Sequence, residues 1–297
     1  MKKVLGVLAG GSTLLAVALI LAIIVIIMSS IVSGGIGRLS WNFITTPPTE
    51  GLTEGGISTP IYGTVLLVLL MSVVGIPFGT ITAVYLSEYT SERSRIARFV
   101  RFAVSNLASV PSIVFGLFGL GFFIQFVGVG MDKAFAPEGR VIFGKESLLW
   151  AAMTMAVLTL PVVIVSVEEA LRNVPREYRE ASLALGATKW QTVTRVVLPN
   201  AVGGILTGTI LAVSRGAGEV APILFTGAAY SAQTESVTSK FMHMGYHLYI
   251  LMTQSPNVRE TLPVQYATTL VLLMLTFALN FTAIFVRYQF RKRLIRA

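Results

Sequence analysis

The sequence predicts an all-α fold, a polytopic transmembrane helical bundle with six spans. Three observations predict it. Hydrophobic residues make up 54% of the 297 residues, charged residues make up only 12% against roughly 25% in an ordinary soluble domain, and the mean hydropathy is +0.75. A soluble core cannot hide so much apolar surface behind so few charges, whereas about 20 apolar residues cross a bilayer as one helix.

Six stretches of the sequence carry few or no charges and are long enough to cross a bilayer. They fall at 5–32, 61–86, 102–129, 147–167, 201–229 and 263–286. Each should be a helix, because backbone exposed to lipid must satisfy its own hydrogen bonds. The first is longer than the roughly 7–15 apolar residues of a secretory signal, so we expect a retained span. Pro111 and Pro161 fall inside two of the stretches and predict kinks there.

The positions of the basic residues predict the orientation of the chain. With the N-terminus inside, 16 of the 23 Lys and Arg residues fall on inner segments, six fall on outer segments, and Arg215 lies within a span. Basic residues concentrate on the cytoplasmic side of membrane proteins, so both termini are expected in the cytoplasm. This bias also explains the net charge of +9 without a nucleic-acid partner.

The sequence lacks the residues or motifs that several kinds of chemistry require. It has no cysteine, which excludes disulfides, zinc thiolates and iron–sulfur clusters. It has no Gly-x-x-x-x-Gly-Lys-Ser/Thr phosphate loop, so ATP chemistry requires another polypeptide. His243 and His247 have helical spacing for a metal but no flanking carboxylate, and we expect packing or interfacial roles for them. No metal and no cofactor are predicted.

The longest inner segment, 168–200, predicts two short helices. Gly186 suits the left-handed residue that ends a helix. Thr188 with Gln191 has the pattern of a capping box for the second helix, which Pro199 should end. From these residues alone two interpretations stay open, namely an amphipathic helix pair on the membrane surface or a docking element for another protein.

The same segment resembles the coupling loop of ABC importer permeases. That family's pattern is Glu-Ala-Ala, three residues, Gly, nine residues and Ile-x-Leu-Pro, and this chain departs from it mildly at Ser182 and Val196. The resemblance implies the type I ABC importer permease architecture and a separate ATPase subunit, whose groove receives this loop. The ATPase-coupling residues that it implies are Glu180, Ala181, Ser182, Gly186, Leu198 and Pro199.

Arg215 and Glu219 are charges inside a predicted span. A charge at mid-bilayer costs about 2.5–3.5 kcal/mol on insertion scales, so it usually faces a bundle interior or a water-filled cavity. Four residues apart on one helix face, the two side chains can pair. Two interpretations stay open: a structural ion pair that fixes helix packing, or an anion contact in which Glu219 orients the guanidinium fork.

The sequence around this pair resembles the PstA family of phosphate-importer permeases. The run 214–226 resembles that family's fifth-span signature, and 110–118 resembles a third-span motif that its two permease subunits share. Gly216 and Val220 stand where the family more often has Ala and Thr. The resemblance implies that Arg215 and Glu219 belong to the path of inorganic phosphate.

The resemblance, which covers about 41–286, also implies the setting of the chain. The setting is the bacterial inner (cell) membrane and its lipid, with a PstC-like homologous permease subunit, a dimer of PstB-like ATPase subunits and a PstS-like phosphate-binding protein as partners. The chain then divides into an N-terminal anchor span with an outer loop, 1–60, and a permease core, 61–297, that carries the coupling loop at 168–200. The resemblance further implies a non-catalytic subunit that forms half of a pore.

Three alternatives stay open on the sequence. An ABC permease for another oxyanion, such as sulfate, molybdate or phosphonate, belongs to the same class. A secondary carrier with Glu219 as its proton site predicts inverted repeats of broken helices, which the sequence does not show. A membrane enzyme that uses Glu219 as acid or base predicts a nucleophile or metal constellation, which is also lacking.

Overall fold

The computed structural model describes residues 2–49, 54–91, 93–137, 139–232, 234–255 and 258–296. Within these ranges the chain is helical apart from its connections and two isolated β-bridges. Six of the described helices are long and apolar enough to cross a membrane, which confirms the six predicted spans. They are Gly10–Gly35, Ser58–Tyr89, Ser112–Phe135, Leu148–Arg172, Lys189–Gly218 and Val258–Gln289.

The α-helices are numbered in chain order. They are α1 (Lys2–Gly35), α2 (Trp41–Thr45), α3 (Ser58–Val84), α4 (Arg95–Leu107), α5 (Ser112–Phe118), α6 (Val129–Phe135), α7 (Leu148–Arg172), α8 (Arg176–Ala184), α9 (Lys189–Thr192), α10 (Leu198–Gly218), α11 (Met244–Thr253) and α12 (Val258–Arg296). Three π-helical segments extend or join them: Tyr85–Tyr89 continues α3, Gly119–Gly128 joins α5 to α6, and Val193–Val197 joins α9 to α10. A 3-10 turn, Ala221–Leu224, follows α10.

The chain forms two compact units. The first contains Met1–Ser58 and Leu248–Leu273, and the second contains Thr59–His247 and Met274–Ala297. In the first unit, Gly35 at the end of α1 lies against the backbone of Tyr266, where an added Cβ would be 2.8 Å from the carbonyl. The predicted boundary between residues 60 and 61 stays a prediction.

The central helix of the second unit is α7, in which 67% of the most apolar window is buried. It packs against α3 through small residues, with Gly75 facing Ala156 and Gly79 facing Val163. Because both positions advance together along the two helices, α3 and α7 run parallel. Small residues at such contacts let helix backbones approach closely.

The other main neighbour of α7 is α10. Gly204 lies against Ala170, and Gly208 lies against Ser166, so the two helices run antiparallel. An added Cβ at either glycine would overlap with the Cβ of its partner. These two contacts hold the first half of α10 against the last part of α7.

The third predicted span, 102–129, is wrong at its start. The separate helix α4 ends at Leu107, and the spanning helix begins at Ser112 with Pro111 immediately before it. Pro111 therefore begins a helix and does not kink one, because proline lacks the N–H that an interior helical position needs. Pro161 lies inside α7, as predicted.

The fifth predicted span, 201–229, is wrong at both ends. The helix ends at Gly218, after which Glu219 is extended.

The prediction that Pro199 ends a helix is also wrong, because Pro199 lies near the start of α10 and does not end the preceding helix. The π-helical segment Val193–Val197 directly precedes it. A π-bulge accommodates the hydrogen bond that the proline nitrogen cannot make, which lets the helix continue.

Candidate functional site

The loop between α8 and α9 is held by local backbone chemistry. Gly186 has φ +82°, a left-handed conformation that costs an L-residue about 1–2 kcal/mol. Thr188 and Gln191 form the predicted capping box: the Gln191 N–H donates to the Thr188 hydroxyl at 3.3 Å, and the Thr188 N–H donates to the Gln191 side-chain oxygen at 2.8 Å. The sequence therefore fixes the reversal between the two helices.

The predicted coupling residues occupy two environments. Glu180, Ala181 and Gly186 are exposed, next to the exposed side chains of Leu185 and Trp190. We call these five residues the α8–α9 surface. The hydroxyls of Ser182 and Thr192 are 3.0 Å apart and tie α8 to α9 beneath it. The remaining two, Leu198 and Pro199, are half-buried in the first turn of α10.

An ion pair fastens α8 to the end of the second span. The Arg179 guanidinium donates from Nη2 to Glu88 Oε1 at 2.7 Å and from Nε to Glu88 Oε2 at 3.1 Å. It also donates to the carbonyl oxygens of Leu171 and Val174, at 2.8 and 2.7 Å. Glu88 lies in the π-helical segment Tyr85–Tyr89. All the donor groups of this arginine are therefore used inside the protein.

Further charged contacts surround this pair. The Glu168 carboxylate accepts from Arg101 Nε at 2.7 Å and from Arg172 Nη2 at 3.0 Å. The Lys189 ammonium lies 5.2 Å from the centre of the Tyr89 ring, a cation–π contact. An open cavity of about 450 Å³ is lined by Ser87, Glu88, Thr90, Arg101, Arg172, Val174, Arg176, Arg179 and Glu180.

The second part of the candidate site is the predicted pair Arg215 and Glu219. Arg215 lies in the last turn of α10, and Glu219 caps that helix with an extended backbone. Arg215 Nε and Glu219 Oε1 are 3.4 Å apart, and the two side chains are 42% and 24% exposed. The predicted pairing is confirmed. Charge-assisted hydrogen bonds are usually about 2.7–2.9 Å long, so this contact is loose.

The elements around Arg215 are closely packed. An added Cβ on Gly216 would overlap with the terminal methyl of Met71 in α3. The Ser214 hydroxyl donates to the side-chain oxygen of Asn280 in α12. Asn280 of α12 therefore contacts the residue that precedes Arg215, and the backbone that carries Arg215 has little room to move.

The third-span and fifth-span motifs of the sequence meet in the structure. Gly116 in α5 lies against the 3-10 turn, where an added Cβ would be 3.1 Å from the Ala221 carbonyl oxygen and 3.0 Å from that of Pro222. Gly119, about one turn later, lies against the side chains of Thr154 in α7 and Thr226. The segment after Glu219 is therefore supported by the start of the third span.

One continuous helix links the two parts of the site. Helices α9 and α10 and the π-helical segment between them run without interruption over the 30 residues Lys189–Gly218. At about 1.5 Å rise per residue, Arg215 lies about 39 Å along this helix from its first residue. The α8–α9 surface and the Arg215–Glu219 pair are thus at opposite ends of a single element.

The two histidines are buried. His243 Nδ1 accepts from the Gly245 N–H at 3.1 Å, while His243 Nε2 and both nitrogens of His247 have no partner among the described residues. Burial lowers the pKa of each imidazole to about 4. The expected packing role fits this environment, and the part of the chain that the structure describes holds no group of three or more metal ligands.

With this geometry described, comparison with known proteins identifies the family. The model of the family described as the binding-protein-dependent transport system inner membrane component matches residues 75–296. The chain belongs to this family. It is therefore a multi-pass membrane protein and a permease component, and the matched range includes the α8–α9 surface, Arg215 and Glu219.

Relatives of this permease carry two kinds of name. The probable ABC transporter permease protein YqgI of Bacillus subtilis (strain 168) is 35% identical over 225 residues, covering 76% of this chain and 71% of the relative. The phosphate transport system permease protein PstA 1 of Mycobacterium tuberculosis (strain CDC 1551 / Oshkosh) is 35% identical, covering 80% and 73%. PstA of Yersinia pestis is 38% identical, covering 67% and 62%.

Solved structures confirm the fold of the permease. A chain of the inward-facing MetNI methionine ABC transporter has a TM-score of 0.60 at 20% identity, covering 79% of this chain and 95% of that one. A chain of a bacterial alginate ABC transporter, solved with its alginate-bound periplasmic protein, has a TM-score of 0.64 at 16% identity, covering 91% and 92%. The predicted type I ABC importer architecture is thereby confirmed as a fold.

Sequence reasoning missed the charged contacts around α8. Glu88 and Arg179 are 91 residues apart, and Arg101 and Glu168 are 67 apart. In the sequence, Glu88, Arg101 and Glu168 lie next to the ends of predicted spans and Arg179 lies in the segment 168–200, where Arg and Glu are common. Nothing in a single sequence states which of these charges meet.

Proposed function

We propose that this chain is one of two membrane halves of an ATP-driven importer of inorganic phosphate. A PstC-like permease forms the other half, two PstB-like subunits hydrolyse ATP, and a PstS-like protein delivers phosphate to the outer face. The names of the PstA relatives support phosphate over sulfate, molybdate or phosphonate. The absence of a phosphate loop from the sequence supports a separate ATPase.

The continuous helix Lys189–Gly218 carries the mechanism. Its first turn belongs to the loop that resembles an ATPase-docking element, and its last turn holds the arginine that we assign to the substrate. When the ATPase subunits close on ATP, they move the α8–α9 surface. Because no break interrupts the helix, that movement reaches Arg215, and the pore opens alternately to the two sides.

Arg215 is suited to contact a tetrahedral oxyanion. Its guanidinium is partly exposed, and its long contact to Glu219, the one ion pair that it makes among the described residues, leaves donor groups available. A planar fork with five N–H donors binds two oxygens of a phosphate at once. Glu219 holds the fork in one orientation and keeps the empty path electrically balanced. Such an arrangement binds the anion weakly enough for release.

The α8–α9 surface is the ATPase contact in this proposal. Small and exposed residues, Ala181 and Gly186, let another protein approach the backbone closely, while Leu185 and Trp190 offer apolar area. Both termini lie in the cytoplasm, as the distribution of basic residues predicts. The antiparallel packing of α10 on α7 and the parallel packing of α3 on α7 agree with that topology.

The test is reconstitution. The chain is purified with its co-expressed partners, placed in vesicles with the binding protein, and assayed for ATP-dependent uptake of radioactive phosphate. We expect uptake that needs ATP and the ATPase subunits, competition by phosphate but not by sulfate or molybdate, and no ATP turnover by the isolated chain. If the vesicles take up another oxyanion and do not take up phosphate, the substrate is that other oxyanion. Uptake driven by a proton gradient without ATPase subunits would overturn the proposal.

A further inference from the structure

The helix α4 contributes Arg101 to the charged contacts described above, and the rest of the helix has three sides. It begins after Ser94, whose hydroxyl accepts from the Ala97 N–H. Its inner side is buried: Ala97, Val100 and Val104 belong to or pack against a core cluster that includes Leu86 and Leu171. These two partners lie at the inner ends of the second and fourth spans, so α4 lies at the level where those spans leave the bilayer.

The second side of α4 is apolar and uncovered. Ile96, Phe99 and Phe102 are 74%, 70% and 66% exposed. In soluble proteins, three large apolar side chains this close together on one helix are usually buried. Next to the ends of apolar spans they fit the boundary between headgroups and acyl chains, where interfacial helices bury their apolar face by roughly 5–10 Å.

The third side of α4 is basic. Arg95 and Arg98 are exposed, and neither makes an ion pair to any other residue that the structure describes. Arg101 differs, since it donates to Glu168 and to the Leu86 carbonyl at 2.7 Å each. Two uncompensated cations therefore border the apolar side, in a helix placed at the membrane surface.

We propose that α4 is an interfacial helix that binds anionic phospholipid, with Arg95 and Arg98 on the headgroups and Ile96, Phe99 and Phe102 in the acyl boundary. The paired exposure of apolar and basic sides favours lipid, because the acyl boundary receives apolar side chains while anionic headgroups attract the cations beside them. The binding does not depend on which solute the pore carries. The preference for anionic over zwitterionic lipid should be about fivefold for each arginine at low salt.

The absence of cysteine makes a site-specific test direct. Phe99→Cys introduces one thiol, which is labelled with an environment-sensitive fluorophore in the chain assembled with its partner subunits. The complex is placed in phosphatidylcholine vesicles, and a few per cent of the lipid is replaced by brominated phosphatidylglycerol or brominated phosphatidylcholine, whose bromines quench a neighbouring fluorophore. Phe102→Cys provides a second position if the first variant does not assemble.

We expect brominated phosphatidylglycerol to reach half-maximal quenching at about a 25-fold lower fraction than brominated phosphatidylcholine, since two arginines act together. The double change Arg95→Gln with Arg98→Gln should abolish this difference, and salt should reduce it. The control Arg140→Gln removes another exposed arginine and should leave it intact. Equal quenching by the two lipids overturns the proposal, and so does the absence of quenching, which would show that a partner subunit covers this side.

Discussion

Arg179 and Glu88 join the coupling loop to the second span by two hydrogen bonds of 2.7 and 3.1 Å. Glu88 is largely buried, and the side chain of Arg179 is only 20% exposed. Breaking such a pair by removing one partner leaves a buried charge without compensation. The loop thus cannot shift as a rigid element unless the end of the second span moves with it or the pair opens.

The first prediction concerns this pair. Glu88→Gln should leave the complex assembled but uncouple it, so that phosphate uptake falls about tenfold, equivalent to about 1.4 kcal/mol of lost coupling, while basal ATP hydrolysis persists. The physical reason is that α8 loses its attachment to the bundle and keeps its exposed face. Uptake and ATP hydrolysis are measured together in vesicles.

The matched control for that experiment is Glu177→Gln, which neutralises an exposed carboxylate in the first turn of α8. It should change neither quantity. If Glu88→Gln couples uptake to hydrolysis as well as the control does, the pair serves only to stabilise the fold.

The second prediction concerns Arg215. Arg215→Gln should nearly abolish phosphate uptake while the complex still assembles, because no other donor fork replaces it. Arg215→Lys should retain part of the activity, since a point charge attracts phosphate but cannot bind two oxygens in a plane. The measurement is uptake normalised to the amount of complex in the membrane, and Arg259→Gln, an exposed arginine at the start of α12, is the control.

A structural role for the same pair gives a different result. In that case Arg215→Gln leaves Glu219 uncompensated and lowers assembly, and the double change Arg215→Gln with Glu219→Gln restores both assembly and uptake. Full recovery of uptake in the double variant would leave Arg215 as a packing residue.

The third prediction concerns Gly186. A valine here must adopt φ near +82°, which is costly for a β-branched residue. Gly186→Val should distort the reversal between α8 and α9 and weaken ATPase binding about tenfold, for a strain of about 1–2 kcal/mol. Co-purification of the ATPase and substrate-stimulated hydrolysis check it. The control Ala184→Val changes an exposed residue with helical backbone at the end of α8, and this variant should bind the ATPase normally.

The fourth prediction concerns pH. Burial lowers the pKa of His243 and of His247 to about 4, from an ordinary value of 6.5. Between those values the unfolded chain binds more protons than the folded chain, so stability falls as the pH decreases from about 6.5 toward 4. The midpoint of thermal unfolding of the detergent-solubilised complex should fall over this window.

The variant His247→Leu removes one of the two titrating groups. The unfolding midpoint should then depend less steeply on pH, and at pH 7.5 it should change little, because both nitrogens of His247 lack a described partner. Met252→Leu, an exposed change in the same helix, should keep the full pH dependence. An unchanged slope in His247→Leu would contradict the assignment.

Local signals in the sequence predicted local structure well. The conformation of Gly186 and the capping box of Thr188 depend on residues within four positions of each other, so the sequence contains all the information needed. The number of spans follows equally directly, because the thickness of a bilayer sets their length. The four-residue spacing predicted that Arg215 and Glu219 can pair, and the structure pairs them.

The predictions failed where the structure depends on more than the local sequence pattern. Pro199 was expected to end a helix by a local rule, but the neighbouring π-helical segment, which no simple pattern announces, lets the helix pass through it. The start of the third span was placed too early because hydropathy does not distinguish Phe102, on an amphipathic helix at the surface, from a residue within the bilayer. Glu88 and Arg179 are brought together only by the packing of distant helices.

Two connections from the α8–α9 region to the bundle involve π-helical segments: the Arg179–Glu88 pair reaches Tyr85–Tyr89, and the chain itself continues through Val193–Val197. A π-bulge holds one residue more than an α-helical turn. Passing that residue to a neighbouring turn would advance the register by about 1.5 Å and rotate the following side chains by about 100°. The two segments are therefore places where a push could be converted into a discrete screw step of a helix, without bending it.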